Sequence, residues 1–171
     1  MKRLPEVFLT GLVAAVLLGA CSREAPPIQG PEPPPPEATY ALMNEIYSRG
    51  TAEAPDWIEL YNPFNSAVNI GGYRIYDIGG KNGTKPKKVI PAGTVVSAKG
   101  FYVIVTDNTG DPSDFGLSSA GEEVWLEDST GTVIDYVAFP AMEVTQSYSR
   151  IPDGSTNWQL ATITRGGPNQ P

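Results

Sequence analysis

Trp57-Ile58-Glu59-Leu60-Tyr61-Asn62-Pro63 is the stretch whose reading decides the fold. Ile58 and Leu60 fall on one face of an extended chain, and Trp57, Glu59 and Tyr61 fall on the other. That period of two is the mark of a strand with one face on a core. Asn62-Pro63 then stops it, because proline has no N–H to give to a ladder. Glu123-Val124-Trp125-Leu126-Glu127 alternates in the same way. It runs into Asp128-Ser129-Thr130-Gly131, which reads as a hairpin turn, and residues 132–139 return.

The pattern continues outward from these two stretches. Met43-Asn44-Glu45-Ile46-Tyr47 opens the series, and Val68-Asn69-Ile70 leads through Gly71-Gly72 to residues 73–77. Residues 87–90 precede the turn Pro91-Ala92-Gly93-Thr94, and residues 147–151 form a last strand before Pro152-Asp153-Gly154. Phe101-Tyr102-Val103-Ile104-Val105 is apolar on both faces, which predicts a central strand. No segment shows a helical period. About eight short strands with Gly-rich turns between them predict an all-β sandwich. Ile58, Leu60, Ile75, Val103, Val105, Val124 and Leu126 are the expected inward residues, each stabilising by about 1.5–3 kcal/mol when fully buried. Gly72, Gly93, Gly131 and Gly154 are the expected turn glycines.

Upstream of the strands lies a different kind of sequence. Lys2 and Arg3 precede an apolar run from residue 7 to residue 20, and Leu18-Gly19-Ala20-Cys21 closes it. A basic start, an apolar middle and a small-residue stop make a secretory signal peptide over residues 1–20. The run is short of the roughly 18 or more apolar residues of a spanning helix. An ordinary cleaved signal needs no cysteine at the cut, yet Cys21, the only cysteine in the chain, stands there. The segment resembles the lipobox of bacterial lipoproteins, which implies that Cys21 is lipidated and begins the mature protein. Residues 21–38 are then the lipidated cysteine and a tether, with Pro26, Pro27, Pro31 and Pro33 to Pro36 among Glu24, Glu32 and Glu37. Such a stretch favours polyproline II and acts as a spacer, with service as a ligand for proline-reading domains as the alternative. Ser22 after the cysteine leans toward the outer membrane, and Ser22-Arg23-Glu24 bears a faint resemblance to surface-export signals.

Composition excludes several functions. The chain of 171 residues has no histidine, which removes the commonest general base and metal ligand. With Cys21 acylated, no thiol is left for a disulfide or a zinc site. Cleavage takes Lys2, Arg3 and Glu6 from 12 basic and 19 acidic side chains, leaving 10 and 18, a net charge of about −8. A net-acidic surface repels phosphate backbones, so nucleic-acid binding is not expected.

Read in order, the strand segments resemble the lamin tail domain. The pieces are Asn44-Glu45-Ile46, residues 57–63, Ile70-Gly71-Gly72-Tyr73-Arg74-Ile75 and residues 90–94. They continue with residues 100–105, 124–131 and 147–154, and close on Gly167-Pro168-Asn169. The resemblance spans about residues 39–169 and implies an immunoglobulin-like β-sandwich over 39–171. It also implies an interaction or anchoring domain with no active site of its own, no cofactor and no catalytic residues.

The candidate sites follow. Glu45 and Glu59 are strand carboxylates expected to form structural ion pairs with Arg74 and Arg150 rather than to catalyse. Trp57, Tyr61, Tyr76, Tyr102 and Trp125 fall opposite the inward residues and form the candidate binding surface, for a protein or a glycan. Asp107, Asp111 and Asp114 make a weak calcium candidate, with a solvated turn as the alternative. Lys81, Lys85, Lys87 and Lys88 form the one basic cluster, suited to guarding a sheet edge or to binding an anion. The expected function is a non-catalytic lipoprotein, anchored through Cys21, that presents its domain for protein contact in the cell envelope. A glycan-binding surface lipoprotein is the first alternative, and an accessory module of a metal-dependent hydrolase the second. The oligomeric state is open.

Overall fold

A computed structural model describes residues 39–107 and 110–171. The expected signal peptide, Cys21 and the tether lie outside the described residues. The strands in chain order are β1 (Leu42–Tyr47), β2 (Trp57–Tyr61), β3 (Val68–Asn69), β4 (Arg74–Tyr76), β5 (Lys88–Val89) and β6 (Val95–Val96). They continue with β7 (Phe101–Val105), β8 (Gly121–Glu127), β9 (Val133–Pro140), β10 (Gln146–Arg150) and β11 (Trp158–Thr162). One helical turn, α1 (Ile78–Lys81), lies between β4 and β5. A five-stranded sheet runs β11-β10-β1-β2-β7, a four-stranded sheet runs β5-β4-β8-β9, and β3 pairs with β6. All the strand pairs are antiparallel.

The all-β sandwich expectation holds. Ile58, Leu60, Ile75, Val124 and Leu126 are fully buried in the core cluster, where they meet Met43, Ile46, Ile104, Val137 and Phe139. Two expectations fail together. Phe101–Val105 is not central; it is the edge strand of its sheet. Val103 and Val105 are only half-buried, and Ile104 is the core residue of β7. The register explains it: Val103 stands across from Glu59 and Val105 across from Trp57, so both share the outer face. The sequence reading also stops at β10, whereas β11 follows it.

Asn62 ends β2 by a specific mechanism. Its fully buried side chain donates through Nδ2 to Ser66 O (2.8 Å), Val96 O (3.1 Å) and Ser97 O (2.8 Å), and Oδ1 accepts from Phe64 N (3.0 Å). These bonds tie the end of β2 to the loop after β6. Asn62→Ala leaves buried backbone groups unpaired and should lower unfolding stability by about 1–3 kcal/mol. An unchanged midpoint in urea denaturation counts against that role.

Gly154 turns the chain after β10. Its φ of +71° is left-handed, and a Cβ there would lie 3.1 Å from the Tyr61 ring. Both facts require glycine.

Candidate functional site

The register of β1 against β2 shifts between Met43 and Glu45. This bulge lets Met43 and Ile46 both face the core and leaves two successive polar residues, Asn44 and Glu45, on the outer face. Glu45 stands across from Glu59, and both are fully buried. Two carboxylates side by side in a sheet repel each other unless something else holds them. Here the C-terminal segment folds over them. Glu45 Oε1 accepts from Ser147 Oγ (2.6 Å) and Thr164 N (2.8 Å), and Oε2 accepts from Thr164 Oγ1 (3.0 Å). Glu59 Oε2 accepts from Gly166 N (2.6 Å), and Oε1 takes a longer bond from Asn44 Nδ2 (3.4 Å).

Asn169 locks the segment down. Its Nδ2 donates to Asn44 O (3.0 Å) and Arg150 O (2.9 Å), its N donates to Asp153 Oδ1 (3.0 Å), and its Oδ1 accepts from Thr164 Oγ1 (2.8 Å). Asn44 also donates to Asp153 Oδ1 (2.9 Å) and accepts from Gly154 N (3.0 Å). Burial pushes Glu59 up to about 7, against the pull of Gly166 N–H and Asn44, and the charges of Glu45 and Asp153 add to the rise. Burial likewise raises Glu45, with Ser147 and Thr164 pulling it back.

The expected pairing of these glutamates with arginines is therefore corrected. Arg150 reaches across the sandwich to Asp135, with Nη2 3.0 Å from each carboxylate oxygen. Its Nε donates to Met43 O (2.6 Å) and its Nη1 to Ser155 O (2.5 Å), while the guanidinium lies 4.7 Å over the Trp158 ring. Arg74 stands 4.0 Å from Glu127, its partner across β4 and β8. A cation costs too much to bury without a full set of acceptors. The Asp135 carboxylate and two carbonyls supply that set to Arg150, whereas Glu45 and Glu59 are served by neutral donors.

The aromatic surface is corrected too. Trp57, Tyr76 and Trp125 are buried, and Tyr61 and Tyr102 are half-buried. Tyr76, Trp125 and Tyr136 stack across β4, β8 and β9 at 5.9 and 5.4 Å between ring centres. Lys87 covers the Tyr76 ring at 4.2 Å, and Lys81 covers Trp125 at 5.6 Å. Trp57 stacks on Tyr47 (5.8 Å) under Arg165. Tyr61 lies against Phe101 at 5.1 Å. Tyr136, at 46 % exposure, is the most open member of the β4–β8–β9 stack, so these rings form no flat platform.

The lysines are engaged within the domain. Lys87 meets Glu127 at 2.5 Å, and Lys85 meets Asp77 at 3.5 Å. Glu127 also accepts from Tyr76 Oη (2.6 Å). Burial alone would raise Glu127, but Lys87, Tyr76 and Arg74 together hold it below the usual carboxylate range. Lys88 bridges Asp111, at 3.5 Å, and Asp114, so two of the three aspartates of the calcium candidate hold a lysine. Asp111 further accepts from Ser113 N (2.9 Å) and Ser113 Oγ (2.7 Å). Among the described residues no group of three or more metal-ligating side chains converges.

Sequence reasoning missed Asn44, Asp135, Ser147, Asp153, Thr164 and Asn169 as a working set. Several of their contacts join residues more than 100 positions apart, such as Thr164 to Glu45 and Asn169 to Asn44. The signal that was present is the closing Gly167-Pro168-Asn169.

A cavity of about 300 Å³ opens between the edges of the two sheets, lined by residues 88–91 of the β5 side, 102–105 of β7 and Asp111. Neither curated proteins nor solved structures yield a match to the chain. The family model of the Lamin Tail Domain matches residues 35–141, from ahead of β1 to just past β9. That match stops short of β10, β11 and the C-terminal segment, which the resemblance in the sequence had included. With more than half of the residues matched and an all-β sandwich to carry them, the chain belongs to the lamin tail domain family.

Proposed function

We propose that this chain is a lipid-anchored, non-catalytic lipoprotein of a bacterial cell envelope that presents its immunoglobulin-like domain to another envelope protein. The observation that carries the reading is Cys21, the only cysteine, placed directly after Leu18-Gly19-Ala20. The lamin tail domain is a non-catalytic, immunoglobulin-like domain involved in protein interactions, which supports the second half of the proposal. Two or three acyl chains, at about 0.8 kcal/mol per buried methylene, hold a protein firmly to a bilayer. The proline-rich residues 22–38 set the domain off from the lipid, and Ser22 favours the outer membrane. No helix among the described residues is long and apolar enough to cross a membrane.

A glycan ligand is the competing reading. It rested on solvent-facing aromatics, and the burial of Trp57, Tyr76 and Trp125 removes most of that row.

Cys21→Ser should move the full chain from the membrane fraction to the soluble fraction when expressed in a bacterial host. Retention with membranes overturns the anchor. In-cell photocrosslinking should trap an envelope protein on the wild-type chain. Binding on a glycan array without any trapped protein supports the glycan reading instead.

A further inference from the structure

Residues 163–171 lie across the outer face of β1 and β2 and are fastened there chiefly by hydrogen bonds. None of them belongs to the core cluster, and Asn169 alone among them is buried. The segment can therefore leave the sheet without opening the sandwich. Such a local opening is governed by the few bonds that hold the piece down.

Those bonds need one proton more than the strap itself brings. Thr164 Oγ1 stands 3.0 Å from Glu45 Oε2 and 2.8 Å from Asn169 Oδ1. Asn169 cannot turn to offer a donor, because its Nδ2 is committed to Asn44 O and Arg150 O. A hydroxyl has a single proton. With Glu45 ionised, two acceptor oxygens compete for it. With Glu45 protonated at Oε2, the acid donates to Thr164 Oγ1, Thr164 donates to Asn169, and both contacts are complete. Glu45 Oε1 is then the carbonyl oxygen, and it accepts from Ser147 Oγ and Thr164 N.

The charges around the site favour the same state. Glu59 faces Glu45 across the ladder, and Asp153 adds a third carboxylate whose charge opposes ionisation of both. β10 brings Ser147 and Ser149 to this face, and β7 sets Val103 across from Glu59, so neither strand adds a charge. The strap's own cation, Arg165, lies over the Trp57 ring at 5.6 Å, and Arg150 is turned to Asp135. Among the described residues no cation forms an ion pair with Glu45 or Glu59. Two neighbouring carboxylates held out of water resist ionising together.

We infer that residues 163–171 form a proton-held strap, docked while Glu45 keeps its proton and lifted from an intact sandwich when that proton is lost. Lifting takes Arg165 off the Trp57 ring and opens the outer face of β1 and β2 around Glu45 and Glu59. The device goes beyond the proposed envelope role and does not depend on the lipid. Its sign follows from burial, which raises both glutamates, Glu59 to about 7. The docked state binds the proton more tightly than the open one, so docking is complete on the acid side and fails as pH climbs.

Amide hydrogen exchange of the full chain in non-ionic detergent reads the strap, once each rate is divided by the intrinsic rate at that pH. Thr164 and Gly166 should lose protection at least tenfold between pH 5 and pH 8, while the paired amides of β1 and β2 keep theirs. Glu45→Gln puts an N–H where the acid carries its proton, so its strap should stay protected at pH 8. Carboxyl ¹³C shifts of the wild-type chain give a readout that needs no variant. Glu45 should be mostly neutral at pH 5 and should ionise over the range in which the strap amides lose protection. Strap protection that does not change with pH overturns the inference. So does a loss shared equally by β1 and β2, a folded Glu45→Gln whose strap still opens at pH 8, or a Glu45 carboxyl already ionised at pH 5.

Discussion

Arg150→Met should lower the unfolding free energy by about 3–5 kcal/mol, the largest loss expected from any one side chain in this domain. The variant keeps most of the side-chain volume and removes the charge. Asp135, 9 % exposed at its side chain, then loses its cation. It would keep only the Met43 and Tyr136 N–H groups, each at 2.9 Å, two neutral bonds for a buried carboxylate. The carbonyls of Met43 and Ser155 lose their donors as well. An uncompensated buried charge is far more costly than an absent ion pair, so the double variant Arg150→Met with Asp135→Leu should recover much of the loss. Urea denaturation of the single and double variants measures both. If Arg150→Met costs less than about 1 kcal/mol, the pair behaves as an exposed one and the account of this site is wrong.

The second large effect is on pH. Stability should fall as pH rises from 5.5 to 8, and Glu59→Gln should flatten that fall. Glu59 sits near 7 in the folded protein, above the ordinary glutamate value of 4.5. A raised carboxylate binds its proton more tightly folded than unfolded, so its contribution is full below the unfolded value. It is lost as pH climbs through the folded value, with a slope that approaches about 1.4 kcal/mol per pH unit for one proton. Glu45 and Asp56 are also raised, chiefly by burial, and act in the same direction. Glu127 is lowered and acts in the opposite sense, but it titrates at acid pH, below this window. The chain has no histidine, so no imidazole masks the slope. Thermal or urea unfolding across the window is the measurement. A flat profile, or a slope that Glu59→Gln leaves untouched, would remove the buried carboxylate pair as its source.

The consequence for the tail follows from the same contacts. Thr164 and Gly166 hold Glu45 and Glu59. The free energy that Glu45 and Glu59 lose as pH climbs through about 7 therefore comes from the site that fastens residues 164–169 to the sheet.

How far the fold could be read depended on how local each signal was. Alternation at Ile58 and Leu60 named a core face because the period of two is a property of the backbone. The hairpin at residues 128–131 was legible because turn chemistry is set by adjacent residues: Asp128 Oδ1 accepts from Thr130 N (2.8 Å) and Thr132 N (3.0 Å). Phe101–Val105 reads as central although it lies at the edge, because a strand apolar on both faces has the same sequence pattern wherever it sits in the sheet. The aromatics were misjudged for a related reason. Period two says that Trp57 and Trp125 leave the core side of their sheets, but not that Arg165, Lys81 and neighbouring rings then cover them.

By itself the sequence determined most of the strands, their turns, the fold class and the family, since each rests on residues within a few positions of one another. Tertiary structure alone decided which carboxylates meet cations. Arg150 chose Asp135 rather than Glu45 or Glu59, because a guanidinium goes where a carboxylate and two free carbonyls converge. That convergence joins β1, β9 and the turn after β10, and no local pattern encodes it.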